Sequence, residues 1–203
     1  MPTKPLGLRE RNRIRTRDEI LVAMSVLLGE RAYETITIDD VAQRAGVSRG
    51  TIYTYFPDGR DQLVRDAYQR TADIVSADGA IQRDQQGSTT DRIIGLATAL
   101  VGVAVTPEGR FYGRMGPDIL GALAGRTGSA SRLFRSMLAE DLRQAAASGE
   151  LPADAPIDEL AVLISGAMRE IGVAAAEEPE RAPQLLRALR ISCDALLAPG
   201  GAR

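Results

Sequence analysis

The chain of 203 residues contains no histidine and no tryptophan, and its only cysteine is Cys193. Without histidine it lacks imidazole acid–base catalysis, Ser-His-Asp and Cys-His nucleophile systems, and most transition-metal sites. A single cysteine cannot form an internal disulfide or a cysteine-rich zinc site. These absences disfavour an enzyme, and we predict no metal and no other cofactor.

Long apolar runs are also missing. No run approaches the roughly 18 residues that a membrane-spanning helix requires, and the charged start of the sequence has no apolar stretch suited to a secretory signal. We therefore expect a cytoplasmic protein that has no membrane partner. Hydrophobic residues make up 44% of the chain and charged residues 26%, which is enough apolar material for a sizeable core.

Positive charge is concentrated at the N-terminus, although the whole chain has a formal net charge of −2. The first 17 residues contain six basic side chains and one acid, and five of the basic residues alternate with other residues: Arg9, Arg11, Arg13, Arg15 and Arg17. In an extended chain this spacing puts all five on one side, about 6.5 Å apart. We predict a flexible basic arm over residues 1–15, which either tracks a phosphate strand or lies in a narrow groove, or remains a solvated tail. In a helix the same side chains would be scattered.

Helix caps and helical apolar spacing recur along the chain, and no segment has the alternation of a strand. Thr16 and Glu19 form a predicted capping box for a first helix over about 16–29, with Leu8 as an earlier alternative start. Further helices are predicted between Thr37 and Gly46, over 49–55, about 63–75, about 89–105, from about 107, over 129–147, about 157–176 and about 181–197, with loops at 77–90 and 149–156. The predicted fold class is all-α, with about nine helices.

The most informative segment is residues 37–56, TIDDVAQRAGVSRGTIYTYF. Thr37 and Ser48 are in cap positions, and Gly46 between the two short helices can adopt the positive φ that a tight turn needs. Ala42, four residues before Gly46, is small enough for the second helix to cross closely. This arrangement predicts a helix-turn-helix, whose second helix can enter a major groove of DNA.

The outward face of that second helix has side chains suited to duplex DNA. Arg49 can pair bidentately with guanine, and Gly50 lets the backbone approach closely. Hydroxyl groups can reach phosphate oxygens, and the helix start at Thr37 could meet another phosphate, although Asp39 and Asp40 would repel it. The predicted DNA-binding residues on this segment are Thr37, Ser48, Arg49, Gly50, Thr51, Tyr53, Thr54 and Tyr55. The alternative is an ordinary helical hairpin with a glycine turn and a polar outer face.

Residues 17–63 resemble the TetR family of transcriptional regulators through RDEIL, the Tyr33-Glu34 pair, Thr37, VAQRAGVSRGTIYTYF and Leu63. The resemblance implies a DNA-binding head over 16–59 and a helical effector-binding and dimerisation body over 60–203. It also implies a homodimer formed by the helices near 157–176 and 181–197, and the DNA contacts of Arg49, Gly50, Thr51, Tyr53, Thr54 and Tyr55. Members of the family are usually repressors that a small ligand releases from DNA.

One position departs from the family pattern. The family commonly has a phosphate-binding lysine where this chain has Gly59, followed by Arg60. Either Arg60 replaces that lysine, or the contact is absent. Asp58 is the predicted cap of the helix that follows.

The body contains a glycine-rich stretch over residues 102–128, which predicts short or broken helices. A mobile segment of this kind suits a ligand gate. The predicted ligand-binding residues are Phe111, Tyr112, Met115, Ile119, Phe134, Met137 and Met168. The alternative for most of them is an ordinary apolar core.

The sequence therefore predicts a regulator that binds double-stranded DNA as a dimer on a palindromic operator. Its recognition helices would enter major grooves about 34–36 Å apart, and an unknown small-molecule effector would release it as a repressor. We considered three alternatives: a DNA-binding factor of the same fold without an effector, an all-α enzyme that uses carboxylates such as Asp118 or Glu140, and a helical adaptor. Alanine at Arg49, Tyr53 and Tyr55 would leave DNA affinity untouched in the adaptor.

Overall fold

The structure is a computed structural model, and it describes residues 7–113 and 129–197. Within these ranges the chain is helical and has no strand, which confirms the predicted all-α fold. The α-helices of this part of the chain are α1 (Leu8–Glu30), α2 (Ile38–Ala45), α3 (Arg49–Tyr55), α4 (Arg60–Asp84), α5 (Thr89–Ala104), α6 (Arg110–Gly113), α7 (Ser129–Ser148), α8 (Ile157–Glu177) and α9 (Ala182–Leu196). Single turns of 3-10 helix precede α2 at Tyr33–Thr35 and α9 at Pro179–Arg181.

Helix α1 begins at Leu8, so Thr16 lies in its interior and the capping box predicted at Thr16 and Glu19 is wrong. The extended-chain interpretation of the alternating arginines is also wrong for residues 8–15, because they are helical. Arginine is a good helix former, and ion pairs one turn apart add to helix stability. Two such pairs are present in α1, Glu10 with Arg13 and Arg15 with Glu19.

Helix α4 continues to Asp84, so the loop predicted at residues 77–90 is wrong as far as that residue. Gly79, which is part of that predicted loop, lies where α4 packs closely on its neighbours. A Cβ there would be 3.2 Å from a Leu96 methyl and 3.4 Å from the Phe134 ring. Close packing outweighs the low helix propensity of glycine, which costs about 1 kcal/mol. The start of α4 also differs from prediction, because Gly59 and not Asp58 is its N-cap.

The buried side chains form two cores that α4 connects. The head core joins α1, α2, α3 and the first half of α4, and it includes Ile52, Phe56 and Leu63. The body core joins the second half of α4 to α5, α7, α8 and α9, and it includes Leu96, Leu142 and Met168. Because one helix contributes to both cores, a change in the tilt of α4 would move the head relative to the body.

A salt-bridge cluster also fixes the head to the body. Arg70 of α4 donates through Nη2 to Asp18 Oδ2 of α1 at 3.1 Å. The Nη1 atom of Arg70 lies 3.6 Å from Glu108 Oε2, which is in the turn between α5 and α6. The hydrogen bond with Asp18 raises the pKa of the half-buried Arg70 guanidinium. The guanidinium therefore stays charged and ties α1, α4 and the α5–α6 turn together.

Candidate DNA-binding surface

The start of α2 is fixed by a complete capping box, as the sequence predicts at Thr37. The Asp40 amide donates to Thr37 Oγ1 at 3.2 Å, and the Thr37 amide donates to Asp40 Oδ2 at 2.8 Å. Hydrogen bonds from the side chain and backbone of Thr37, and then from Arg31, lower the pKa of Asp40 to about 2. The phosphate contact predicted for the amides at this helix start therefore excludes those of Thr37 and Asp40, which already have acceptors, and it stays a prediction.

The turn between α2 and α3 depends on Gly46, whose φ of 66° and ψ of 31° are in the left-handed region. The amides of Gly46 and Val47 donate back to the carbonyls of Gln43 and Ala42, which ends α2. Ser48 then begins α3, because its Oγ accepts from the Thr51 amide at 3.0 Å. Both caps and the glycine turn are as predicted from the sequence.

Replacing Gly46 with alanine is expected to destabilise the head by about 1–2 kcal/mol, which is the cost of a side chain in the left-handed region. The cost comes from the backbone conformation, because a Cβ at this position would meet no atom within 4 Å. Chemical denaturation monitored by circular dichroism measures the change. Gly102→Ala is the matched control: Gly102 is inside α5 with open space around it, so this change should be neutral or stabilising.

The inner face of α3 holds the helix against the head core. Ile52 and Phe56 are completely buried, and Tyr55 is half-buried against the same core. The Thr54 hydroxyl donates to the Gly50 carbonyl at 2.9 Å, and the hydroxyls of Ser48 and Thr51 are 2.8 Å apart. The predicted residues left most exposed on α3 and its cap are Ser48, Arg49, Gly50, Tyr53 and Thr54.

Arg49 is the long cationic side chain of this face, and it is held on two sides. Its Nη1 donates to Asp39 Oδ2 at 3.1 Å, and its guanidinium carbon lies 5.8 Å from the centre of the Tyr53 ring. Hydrogen bonding to Tyr53 and the charge of Asp39 raise the pKa of Arg49. Sequence reasoning treated Asp39 only as a residue that repels phosphate, and its spacing from Arg49 carries no signal for this contact.

Arg60 points into the head. Its Nη1 donates to the Ile36 carbonyl at 3.2 Å, and its guanidinium lies 4.3 Å from the centre of the Tyr33 ring. The Tyr33 hydroxyl donates to Asp61, and desolvation followed by that hydrogen bond raises the pKa of Tyr33. Arg60 thus joins α4 to the 3-10 turn before α2. The phosphate contact predicted for Arg60 stays a prediction.

The predicted arm residues lie on an exposed helix. Arg13 and Arg15 are well exposed and pair loosely with Glu10 and Glu19, at 3.8 Å and 3.6 Å. Arg11 is also exposed. Because residues two apart on a helix point in different directions, Arg11, Arg13 and Arg15 do not form the single row that an extended arm would present.

The predicted ligand-binding residues are dispersed. Phe111 is buried in the head core and Met168 in the body core, and Tyr112 stacks on Tyr68 with ring centres 5.2 Å apart. Phe134 and Met137 pack partly buried against the body core. Met115 and Ile119 lie outside the described residues. Apolar helical spacing indicates burial, and it does not distinguish a core from a cavity wall.

A different set of residues lines a cleft of about 430 Å³ between α4, α5 and the α5–α6 turn. Its lining residues are Arg70, Thr71, Ile74, Asp78, Gln82, Ala99, Gly102, Val103, Thr106, Glu108 and Gly109. None of the predicted ligand-binding residues that the structure describes is among them. The cleft borders Arg70, the residue that ties the head to the body, and sequence reasoning did not find it because none of these residues has a distinctive spacing.

A tight glycine turn, two capped helices and an outer face with exposed Arg49, Gly50 and Tyr53 form a helix-turn-helix, a motif that binds DNA. Residues 20–67 match the family profile "Bacterial regulatory proteins, tetR family". This segment of the chain is therefore similar to the TetR family of DNA-binding transcription regulators. No helix among the described residues is both long and apolar enough to cross a membrane.

Named relatives match over a short part of the chain. An uncharacterized HTH-type transcriptional regulator of Mycobacterium tuberculosis is 38% identical over 61 residues, which cover 30% of this chain and 31% of that protein. The HTH-type transcriptional regulator AlkX of the same species is 46% identical over 55 residues, which cover 27% of this chain and 26% of AlkX. The chain thus matches less than a third of the length of either relative.

Similarity to solved structures extends over the body as well, at the level of the fold. A crystal structure from Rhodococcus sp., described as a TetR-family transcriptional regulator, has a TM-score of 0.76 and 20% sequence identity, and the match covers 91% of this chain and all of that one. At this identity the comparison shows the fold alone, which is a helix-turn-helix head joined to a helical body.

Proposed function

We propose that the chain is a sequence-specific transcriptional regulator that binds a palindromic operator as a homodimer. The observation that carries this proposal is the exposed face of α3, where Arg49, Gly50, Tyr53 and Thr54 project from a helix whose other side is anchored by Ile52. Arginine reads guanine in the major groove, and the small Gly50 permits close approach of the backbone. A rigid core behind a short helix is what precise groove insertion requires.

Selection of binding sites from random or genomic duplexes by the purified full chain tests this function. We expect enrichment of a palindrome whose half-sites are about one helical turn, or a multiple of it, apart. Enrichment of single, asymmetric sites would contradict the dimeric part of the proposal. Absence of any enriched sequence at moderate ionic strength would contradict the function itself.

The proposed dimer is supported by exposed apolar side chains on the last two long helices. Leu163 of α8 is 68% exposed, and Val162 of α8 and Ile191 of α9 are also largely exposed. Small residues next to them, Ser165 and Gly166, allow a second helix to approach closely. Two helices from each copy can pack around a twofold axis as a four-helix interface.

Replacing Leu163 with aspartate is expected to convert the dimer to a monomer, because two copies of the charge would be buried near the twofold axis. Sedimentation or light scattering should then give the chain mass of 21.7 kDa in place of twice that mass. Ile81→Asp is the matched control, since Ile81 is an exposed apolar residue of α4, outside the proposed interface. An unchanged dimer in Leu163→Asp would place the interface elsewhere.

We further propose that the protein is a repressor and that a small molecule releases it from DNA. The cleft has the size of a small-ligand site, and it borders Arg70, which binds both Asp18 of the head and Glu108 of the α5–α6 turn. A ligand favouring a different arrangement of these groups would alter the tilt of α4. A thermal-shift screen against metabolites tests this: concentration-dependent stabilisation supports an effector, and no response favours a factor without one.

A further inference from the structure

We propose that Asp39 is a specificity-determining residue of the DNA-binding surface, which acts by positioning Arg49. This inference rests on the proposed function. Asp39 is in the first turn of α2 and Arg49 is the first residue of α3, so their ion pair bridges the two helices of the helix-turn-helix. Both oxygens of the carboxylate face Arg49 Nη1, at 3.1 Å and 3.4 Å.

The location of Asp39 makes its charge costly for DNA binding. Its side chain is 67% exposed on the surface that has to approach a polyanion, and a carboxylate there repels phosphates. An exposed ion pair also contributes little to folding stability, about 0–1 kcal/mol. Neither general affinity for DNA nor stability of the head therefore accounts for a carboxylate at this position.

The geometry around Arg49 indicates what the carboxylate does. An exposed arginine has many rotamers, and ordering it on binding costs conformational entropy. Here the guanidinium is restrained from one side by Asp39 and from another by the Tyr53 ring. The carboxylate bonds to Nη1, so the guanidinium is oriented before DNA arrives and bidentate contact with guanine requires less reordering.

The same carboxylate penalises incorrect sites. Where the groove presents no guanine to Arg49, Asp39 remains close to DNA without the compensating base contact, and its repulsion is retained. A residue that weakens all complexes but weakens incorrect ones more raises the ratio of specific to nonspecific affinity. Asp39 thus lowers the affinity for DNA in general and, through its contact with Arg49, raises the selectivity for the correct site.

The test compares binding of purified full-length variants to the selected operator and to a scrambled duplex at one salt concentration. Asp39→Asn should bind the scrambled duplex more tightly than wild type and lower the specificity ratio about fivefold or more. Asp39→Glu retains the carboxylate and should restore part of the ratio. Glu34→Gln, which removes one exposed acid from the same head, should leave the ratio unchanged. Thermal melting should show all three variants folded as wild type is.

Arg49→Ala separates positioning from a simple charge effect. If Asp39 acts through Arg49, the specificity ratio should be the same for Arg49→Ala and for Asp39→Asn combined with Arg49→Ala. The inference would be overturned if adding Asp39→Asn to Arg49→Ala lowered the ratio by the same factor as Asp39→Asn does in wild type, or if Asp39→Asn alone left the ratio unchanged. If wild type itself prefers no duplex, the proposed function fails and this inference fails with it.

Discussion

Arg49→Ala is expected to abolish most of the discrimination between operator and scrambled duplex while the chain remains folded. A bidentate arginine–guanine pair is worth about 1–3 kcal/mol of discrimination, and a symmetric dimer makes the contact twice. The expected loss is therefore about 2–6 kcal/mol in specific binding, if the two half-sites contribute independently. The side chain is 59% exposed and only its ion pair with Asp39 and its contact with Tyr53 are lost, so folding stability should change little.

Equilibrium titrations of both duplexes by fluorescence anisotropy measure this effect. Arg44→Ala is a suitable control, because Arg44 is an arginine of the neighbouring helix whose guanidinium is bound to Glu30 at 2.8 Å and 2.9 Å. That variant removes one positive charge from the head, so it should weaken both duplexes by a similar factor. Equal losses on both duplexes in Arg49→Ala would show that Arg49 binds phosphate and does not read a base.

Asp141→Ala is expected to destabilise the body by about 3–5 kcal/mol, the usual cost of removing one partner of a buried ion pair. Asp141 of α7 is 0% exposed. It accepts two hydrogen bonds from Arg83 of α4, at 2.7 Å and 2.8 Å, and its Oδ1 lies 3.0 Å from Arg92 Nε of α5. The hydrogen bond with Asp141 raises the pKa of Arg83. Arginine is protonated at neutral pH even without that hydrogen bond, so the guanidinium stays charged when its acceptor is removed.

The loss should be near the lower end of that range, because Arg83 and Arg92 keep some solvent contact. Denaturant titration of full-length variants measures it. Glu140→Ala changes the adjacent, exposed acid of the same helix and should cost less than about 1 kcal/mol. Asp141→Asn keeps one acceptor and should be intermediate, which preserves the test if Asp141→Ala does not fold. Equal stability of the position 140 and position 141 variants would mean that the buried cluster does not join α4, α5 and α7.

Local signals account for the parts of the fold that could be predicted. The caps at Thr37 and Ser48 and the turn at Gly46 form through contacts within a few residues, so residue type and spacing indicate them directly. The head could be recognised as a helix-turn-helix for the same reason. Its outer face followed from the buried positions, because a residue on a short helix that does not pack inward projects outward.

Long-range contacts account for what could not be predicted. Gly79 is helical because α4 packs on Leu96, which is far along the chain, and Arg60 turns inward because carbonyls before α2 accept its hydrogen bonds. The ion pair of Asp39 with Arg49 requires the angle between two helices, which no spacing rule supplies. The position of the cleft depends in the same way on how α4, α5 and the turn at Thr106 meet.

Methylation interference on the selected operator tests the central claim most directly, since guanine N7 lies in the major groove. We predict that N7 methylation of one guanine in each half-site, at symmetric positions, prevents binding of the wild-type chain. For the Arg49→Ala variant, methylation of those guanines should have much less effect on the remaining binding. Binding that is indifferent to N7 methylation throughout the operator would contradict insertion of α3 into the major groove.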